Sequence, residues 1–329
     1  MKLPRRRFLQ LAAGAAALPA VSRTASAQAY PARALTMVVP FAAGGPTDVI
    51  GRVLADRMRT SLGQTVVVEN TTGAGGTAGA GRLARSAPDG YTIGIGQNGS
   101  HVITGATYSN LPYDLIKDFD PVTLICITPF MVVAKKSVPA DDLKSFIAWL
   151  RDNPNKTVGT AGQGSISHVC GLIFQQATKT QLQFVPYRGI APAMQDVVAG
   201  NLDLIISDPV ATLPQARAGN VKAYAVCADR RLPTAPEFPT VDEAGLPGYH
   251  VALWHGLWMP KGTPKPIIDK IHAAAVEALA DPAVRSKLEQ LGQDIYPRER
   301  QNPQALAAQQ KSEIEKWWPI IKAGNIKVD

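Results

Sequence analysis

Short apolar runs alternate along the chain with segments whose apolar residues recur at helical spacing. Leu35 to Val39 is a run typical of a buried strand, and between Val49 and Leu62 apolar residues recur every three or four positions. Further strands are predicted at 65–69, 91–96, 158–160, 183–185, 204–207 and 224–228, and further helices at 76–86, 264–281 and 303–323. This alternation predicts parallel sheets with helices on both faces.

Two extended stretches, at 121–135 and 250–260, are longer than the other predicted strands. Each is long enough to cross from one lobe of the molecule to another. A chain that crosses twice builds its first lobe from both ends and its second lobe from the middle, and this leaves a hinged cleft between them. The mature chain is also longer than a single hydrophobic core usually accommodates, which favours two domains.

The N-terminal residues have the features of an export signal. An acid-free start containing Arg5-Arg6-Arg7-Phe8-Leu9 precedes a short apolar core at 11–21 and the small residues Ala25-Ser26-Ala27. The paired arginines resemble a twin-arginine signal, although Pro4 and Gln10 depart from its fullest form, and the general secretory route stays open. The core is too short for a bilayer span. We therefore predict a signal peptide at 1–27, cleavage after Ala27 and a periplasmic mature protein.

Removing this leader changes the charge of the chain. The full sequence carries 34 basic and 26 acidic residues, a net charge of +8, and five of the basic residues lie in the leader. The mature chain therefore has 29 basic and 26 acidic residues, a net charge of +3. Because the basic residues are dispersed among acids, the sequence predicts no nucleic-acid partner.

The three cysteines, Cys126, Cys170 and Cys227, lie among apolar neighbours and none has a CxxC spacing. This pattern is typical of buried free thiols and gives no support to a zinc site or a dithiol centre. Trp254 and Trp258 lie on one face of a predicted strand and are expected to pack in a core.

Two glycine-containing loops each join a predicted strand to a predicted helix. In the first loop (residues 40–48), Gly44-Gly45 precede the helix, whose first N–H groups form an anion site equivalent to roughly +0.5 charge. The alternative is that the glycines only turn the chain and that Thr47 or Asp48 caps the helix. The second loop (residues 160–168) repeats the pattern, and its Thr160 and Ser165 hydroxyls can donate to a carboxylate. Together the loops predict two facing anion sites.

Other readings of the sequence receive less support. Residues 73–78 fit G-x-G-x-x-A, but the following strand ends in Gln97-Asn98 where a dinucleotide site needs an acid, so no cofactor is predicted. Ser165 does not lie in G-x-S-x-G, and His168 has the helical spacing of a core or supporting histidine. Asp203 and Asp208 form a conceivable acid–base pair, although a helix-capping role is the commoner outcome. We predict binding without catalysis.

The chain closely resembles the Bug-type (TctC-like) periplasmic substrate-binding proteins of tripartite tricarboxylate transporters. The matching stretches cover essentially the whole mature chain: 40–45 with Asp48, 62–70, 73–76, 88–92, 111–114, 118–119, 162–168, 185–189, 239–240 with 243–248, and 262–264. Two departures lie at the expected cleft rim, where Thr71-Thr72 replace the usual Arg-Pro and Thr104-Gly105 replace Asn-Pro. For this reason the ligand cannot be copied from better-known relatives.

The resemblance implies an α/β, two-lobed type II periplasmic-binding-protein fold (a "Venus flytrap"), with two sheets flanked by helices and joined by a two-strand hinge. Residues 28–128 plus 251–329 would form lobe 1, and residues 129–250 lobe 2. It implies a monomeric, non-enzymatic receptor that binds a small carboxylate, such as a di- or tricarboxylate or an aromatic acid, and delivers it to the membrane subunits of a transporter. A periplasmic hydrolase or oxidoreductase and a ligand sensor for signalling are the alternatives.

The resemblance also implies where the ligand is held. The loop corresponding to Phe41 through Gly45 would hold one carboxylate from lobe 1, and the loop corresponding to Thr160 through Ser165 would act from lobe 2. No residue is assigned to catalysis or to a metal. The residues implied as ligand-binding are Phe41, Ala42, Gly44, Gly45, Asn98, Ser100, Thr160, Gly164, Ser165, His168, Tyr187 and Asp208.

Overall fold

Eleven strands form two sheets in this computed structural model, which describes residues 30–328. The predicted signal peptide at 1–27 and its cleavage after Ala27 lie outside the described residues. No helix within residues 30–328 has the length and apolar character needed to cross a membrane.

The first sheet has six strands in the order β11-β4-β10-β3-β1-β2. They are β1 (Leu35–Val39), β2 (Val66–Asn70), β3 (Thr92–Gln97), β4 (Phe119–Pro129), β10 (Ala252–Pro260) and β11 (Asp294–Ile295). Strand β1 pairs in parallel with β2 and β3, whereas β10 runs antiparallel to both β3 and β4.

The second sheet has five strands in the order β7-β6-β8-β5-β9. They are β5 (Met131–Lys135), β6 (Lys156–Thr160), β7 (Leu182–Pro186), β8 (Leu204–Ser207) and β9 (Val221–Val226). Strand β6 pairs in parallel with β7 and β8, and β5 runs antiparallel to β8 and β9.

Ten α-helices connect the strands within the described residues. They are α1 (Pro46–Leu62), α2 (Thr77–Ala84), α3 (Thr104–Thr107), α4 (Leu143–Asp152), α5 (Ile166–Thr178), α6 (Ile190–Ala199), α7 (Pro209–Arg217), α8 (Lys265–Ala280), α9 (Pro282–Gln290) and α10 (Pro303–Ala323). The described residues also contain two short 3₁₀ turns, at Ala74–Gly76 and Arg298–Arg300, and one π-helical turn, at Gly99–Ile103. Helix α1 begins with a proline, which suits a position whose N–H has no helical partner.

The chain crosses between the sheets at both extended stretches that the sequence predicted. Strand β4 ends at Pro129 and β5 begins at Met131, and the chain returns to the first sheet through Val251 into β10. At the junction Phe130 N–H donates to Val251 O (2.9 Å), and Cys227 N–H donates to Phe130 O (2.7 Å). The crossing segments are thus hydrogen-bonded to each other, as a two-strand hinge requires.

The predicted parallel pairing is present in both sheets, but each sheet also contains antiparallel strands, which the alternation did not predict. The strands that precede helices in βα units end at the cleft. Strands β5 and β10 instead begin at the crossing point and run away from the cleft, so they are antiparallel to those neighbours. Crossing from one sheet to the other therefore imposes the mixed topology.

Both sheets bury apolar cores against their helices. Residues of α1 and α8, such as Leu54 and Ile271, pack in one cluster with first-sheet residues such as Met37. The cysteines are free and buried, and Trp254 and Trp258 are buried in a core, as predicted from the sequence.

Candidate functional site

A cavity lies between the two sheets, beside the hinge. About 340 Å³ of space free of protein atoms lies between its walls, and part of that space is open solvent. Its lining comes from both sheets and the hinge: Phe41, Gly45, Pro46, Thr47, Gln97, Phe130, Ala161, Ile166, Ser167, Ile190, Ser207 and Leu253. Most of these residues follow the carboxyl end of a strand or begin a helix, which is where ligands bind in open α/β sheets.

Asp48 holds the first loop in shape. Its Oδ2 accepts hydrogen bonds from Gly44 N–H (2.8 Å) and Arg52 Nε (2.9 Å), and its Oδ1 accepts one from Asn70 Nδ2 (2.8 Å). Burial alone would raise the pKa of Asp48, but these hydrogen bonds and the charge of Arg52 outweigh burial and lower it. Helix α1 has Gly45 as its N-cap and no side-chain cap. Neither Thr47 nor Asp48 is the cap, so the capping alternative for this loop was wrong.

The second loop is held by hydrogen bonds between its own residues. Ser165 is the N-cap of α5, and its Oγ accepts from His168 N–H (3.4 Å). Ser167 Oγ accepts from Ala161 N–H (2.8 Å), and His168 Nδ1 accepts from Gly164 N–H (3.1 Å). Burial lowers the pKa of His168, which keeps Nδ1 available as an acceptor. His168 therefore supports the loop, in agreement with the supporting role predicted from its spacing.

Loops of the two lobes contact each other across the mouth of the cleft. Ala42 N–H donates to Arg188 O (3.1 Å), Tyr108 Oη donates to Gln163 O (2.8 Å), and Thr107 Oγ1 donates to Gly164 O (3.2 Å). The structure therefore has a closed cleft, in which the first and second loops lie on opposite sides of the cavity.

The glycine run (residues 73–76) forms part of this contact. A Cβ on Gly75 would lie 2.8 Å from Gln163 O, and the backbone there has a left-handed φ of +63°. Both observations require glycine at this position. The run thus allows the second loop to approach closely, which accounts for its composition without a dinucleotide.

Seven of the predicted site residues line the cavity or border it. Phe41 and Gly45 line the cavity, and Ala42, Gly44 and Gly164 belong to the two loops at its mouth. Thr160 and Asn98 are buried directly beside the lining residues Ala161 and Gln97. Asn98 Nδ2 donates to Ala252 O (3.0 Å).

The other five predicted residues also lie outside the lining, although Ser165, His168 and Asp208 are adjacent in sequence to lining residues, and their side chains bond to other groups. Ser165 caps a helix and His168 supports the second loop, as described above. Ser100 Oγ lies 3.0 Å from His101 Nδ1. Tyr187 Oη donates to Asp196, and burial together with this partner raises the pKa of Tyr187 to about 12.

Asp208 is the fifth of these residues, and it lies at the contact between the two lobes that Asp208 and Gln293 form. It caps α7 through Val210 N–H (2.6 Å), and the Gln293 amide donates to both its oxygens (3.2 Å each). Burial raises the pKa of Asp208 to about 7. Asp203 forms an ion pair with Lys135 (2.8 Å). Because one aspartate caps a helix and the other is paired, the acid–base alternative receives no support.

A chain of buried polar groups connects the contact between Asp208 and Gln293 to the cavity. Cys126 Sγ donates to Gln293 Oε1 (3.4 Å) and lies 3.9 Å from His255 Nδ1, and His255 Nε2 shares a hydrogen bond with Thr47 Oγ1 (3.2 Å). Burial lowers the pKa of His255 to about 3, so this imidazole is neutral. Within residues 30–328, no three His, Cys, Asp or Glu side chains come together as a metal site needs.

The sequence reasoning missed four polar residues of the lining. Thr47 and Ser167 each lie in the first turn of a helix that follows a loop already singled out. Gln97 and Ser207 are the last residues of β3 and β8. The rule that ligands bind outside the carboxyl ends of strands would have indicated Gln97 and Ser207.

Comparisons with known proteins agree with this architecture. A family model described as "Tripartite tricarboxylate transporter family receptor" matches residues 50–326. The structure of the periplasmic binding protein BugD is 40% identical, with a TM-score of 0.88 over 91% of this chain and 100% of that chain. MatC from Rhodopseudomonas palustris with bound malate is 40% identical, with a TM-score of 0.85 over 89% of this chain and 100% of that chain.

A further R. palustris protein, solved with adipate, is 31% identical, with a TM-score of 0.86 over 91% of this chain and 100% of that chain. These matches confirm the resemblance that the sequence motifs indicated, and with it the two-sheet type II periplasmic-binding-protein fold. The chain belongs to the tripartite tricarboxylate transporter family of receptors, the TctC family.

Proposed function

We propose that this protein is an extracytoplasmic receptor that binds a small dicarboxylate in the interlobe cleft and delivers it to the membrane subunits of a tripartite transporter. One observation carries the proposal. The first turns of three helices, at Gly45–Thr47, Ile166–Ser167 and Ile190, converge on a cavity that has no lysine or arginine in its lining. Unpaired N–H groups and helix dipoles at such ends favour anions.

The energetics are sufficient without a fixed cation. A micromolar receptor needs about 8 kcal/mol of net binding free energy. A hydrogen bond to a charged group contributes roughly 1.5–3 kcal/mol. Four or five donors from the helix ends therefore suffice when closure excludes water. The ligands named for two relatives, malate and adipate, are both small dicarboxylates and support the same class for this chain.

In this proposal the lobes comprise residues 28–128 plus 251–329 and residues 129–250, and they close over the ligand as one monomer. The protein is exported, cleaved after Ala27 and works in the periplasm. It binds its ligand without altering it, which distinguishes a receptor from a periplasmic enzyme. Transport also distinguishes it from a sensor, because deletion of the gene would abolish uptake of the ligand.

A thermal-shift screen of residues 28–329 against C4 to C6 dicarboxylates, aromatic acids and amino acids tests the proposal. We expect stabilisation by one or more dicarboxylates, confirmed by calorimetry at one ligand per chain. Mass spectrometry of the recovered ligand should show an unchanged molecule. Failure of every carboxylate to bind, or the appearance of a new product, would contradict the receptor assignment.

A further inference from the structure

Five buried side chains form one continuous series of hydrogen bonds from the contact between the lobes to the ligand cavity. In order they are Asp208, Gln293, Cys126, His255 and Thr47, and none of them is more than 2% exposed. Asp208 follows β8 of the second sheet, and Thr47 is the member that lines the cavity. We call these five side chains the relay.

The direction of each hydrogen bond in the relay is fixed when Asp208 is ionised. A carboxylate only accepts, so the Gln293 amide donates to it through Nε2, and Oε1 is left to accept from Cys126 Sγ (3.4 Å). The Cys126 sulfur then accepts from His255 Nδ1–H (3.9 Å), and His255 Nε2 accepts from Thr47 Oγ1 (3.2 Å). The Thr47 hydrogen therefore points away from the cavity, and Thr47 offers a bound anion no donor.

A proton on Asp208 reverses this order. Within the described residues the side-chain partners of Asp208 are Val210 N–H and the Gln293 amide, and both are donors. Because a buried hydroxyl of the protonated carboxyl needs an acceptor, the Gln293 amide must turn its Oε1 toward Asp208. This turn gives up a 3.5 Å contact of Nε2 with Leu291 O and directs the amide N–H at Cys126.

Reversal frees the hydroxyl of Thr47. Cys126 S–H now donates to His255 Nδ1, and His255 Nε2–H donates to Thr47 Oγ1, whose own hydrogen is left to donate into the cavity. Only Asp208 gains a proton, since every other group keeps its number of hydrogens and only their positions change. A hydroxyl that donates to a carboxylate forms a charge-assisted hydrogen bond, which is stronger than one between neutral groups.

We propose that the relay makes ligand affinity depend on the protonation of Asp208, with His255 as the positioning residue that turns the Thr47 hydroxyl toward or away from a bound carboxylate. The inference rests on the proposed function and adds a regulation of its site. Burial raises the pKa of Asp208 to about 7. Affinity should therefore be highest below about pH 7 and fall as the pH rises through this value, because deprotonation removes the Thr47 donor.

The other titratable groups of the relay keep their charge in this range. Burial raises the pKa of the Cys126 thiol and lowers that of His255 to about 3, so both stay uncharged near neutral pH. Asp294 of β11, which also contributes to the raised pKa of Cys126, is exposed and lies 3.9 Å from Arg230.

Within residues 30–328 no charged side chain contributes to the pKa of Asp208, which burial raises and its two hydrogen-bond donors lower. The charged residues of the elements that pack against α7, which are α1, α6, β5 and β9, have partners of their own: Arg52 with Asp48, Arg57 with Asp281, Arg59 with Asp56, Lys135 with Asp203, Lys222 with Asp141, and Asp196 with Tyr187. The proton that reverses the relay is therefore the one on Asp208.

Calorimetric titration with malate and with adipate between pH 6 and pH 8.5 tests the relay. The wild-type affinity should fall about tenfold or more over this range, the loss expected for one hydrogen bond to a charged group. Thr47→Val should bind at pH 6 as weakly as the wild type does at pH 8.5, with little further change. Thr47→Ser keeps the hydroxyl and should keep the wild-type profile. Titration of the ligand itself is common to all these proteins.

An ionised Asp208 would also repel a bound anion directly, and Cys126→Ala separates this effect from the relay. The variant keeps the Asp208 carboxyl but interrupts the relay, so the pH dependence of affinity should disappear, whereas simple repulsion would preserve it. Asp208→Asn should keep high affinity at every pH, because its amide donates to Gln293 Oε1 as the protonated carboxyl does.

The tautomer of His255 gives a readout that needs no ligand. Nitrogen NMR of the wild-type protein should show the hydrogen on Nε2 at pH 6 and on Nδ1 at pH 8.5, and Asp208→Asn should keep it on Nε2 throughout. An unchanged tautomer, a flat wild-type affinity, or a wild-type pH profile in Thr47→Val or Cys126→Ala would overturn the relay. Absence of binding by both acids contradicts the proposed receptor instead, and the tautomer then decides on the relay alone.

Discussion

Replacing Asp208 by Asn should make the stability of the folded protein less sensitive to pH. Burial raises the pKa of Asp208 from 3.8 to about 7, although hydrogen bonds from Val210 N–H and the Gln293 amide favour the ionised form. Cys126, whose thiol donates to Gln293, is also buried, and its own raised pKa leaves it uncharged at neutral pH. Nothing cationic among these partners compensates an Asp208 carboxylate.

The sign and the magnitude follow from the difference between the folded and unfolded pKa values. Because the folded value is the higher one, the stability from this group is fully present below about pH 4 and is lost as the pH rises through about 7. One pKa unit corresponds to about 1.4 kcal/mol, so the wild-type protein loses up to about 4 kcal/mol of unfolding free energy over this range. Asp208→Asn does not ionise, and asparagine caps a helix as well as aspartate does.

Urea unfolding of ligand-free protein at pH 5, 6, 7 and 8 measures this difference. The free energy of unfolding of Asp208→Asn, relative to that of the wild type, should increase by about 1.4 kcal/mol for each pH unit up to about pH 7. Parallel pH profiles for the two proteins would refute the reasoning, because they would mean that the Asp208 carboxyl titrates alike in both states.

Asp203→Asn provides a control of opposite sign. Burial alone would raise the pKa of Asp203, but hydrogen bonds from Lys135 and Thr157 outweigh burial and lower it. The stability from that group is present at neutral pH and is lost as the pH falls. Asp203→Asn should therefore be most destabilising near neutral pH and less destabilising in acid. The stability of Asp208→Asn relative to the wild type should instead increase as the pH rises.

Three further predictions concern closure, the second loop and export. Gly75→Val places a branched side chain against Gln163 O, so ligand affinity should fall at least tenfold. Small-angle scattering should then show no compaction when ligand is added, and compaction equal to that of the wild type would contradict the role of this contact in closure. Ser165→Ala removes the N-cap of α5 and should lower the unfolding free energy by about 1 kcal/mol, with less than a tenfold change in affinity by calorimetry, because Ser165 does not line the cavity. N-terminal sequencing of periplasmic protein should begin at Gln28, and Arg5→Lys with Arg6→Lys should block export only on the twin-arginine route.

The sequence was sufficient for most strands, for several helices and for the two loops, because all of these depend on local pattern. A buried strand, a glycine turn and a helix start are consecutive at 35–48, and again at 156–168, so each loop could be recognised as a candidate anion site from its own residues. The mixed strand directions were missed because they follow from where the chain crosses between sheets. The two crossing stretches were predicted, but local periodicity carries no information about the direction in which the crossing strands pair with their neighbours.

Contacts between distant parts of the chain were out of reach for the same reason. Ser165 was expected to donate to the ligand through its hydroxyl, and the family resemblance implied that Asp208 faces the ligand. In the structure Asp208 bonds to Gln293, which is 85 positions away, whereas Ser165 makes a local bond, to His168 in its own helix. Their polar groups are already satisfied, which the sequence cannot reveal.

Closure and affinity are coupled through the contacts at the mouth of the cleft. In this structure Ala42 N–H donates to Arg188 O and Tyr108 Oη donates to Gln163 O, so the first and second loops are held on opposite sides of one cavity. A ligand shifts the equilibrium only by its differential affinity for the closed form. We expect both loops to hold the ligand only after closure, so a variant that weakens these contacts should lower the closed population and the affinity together.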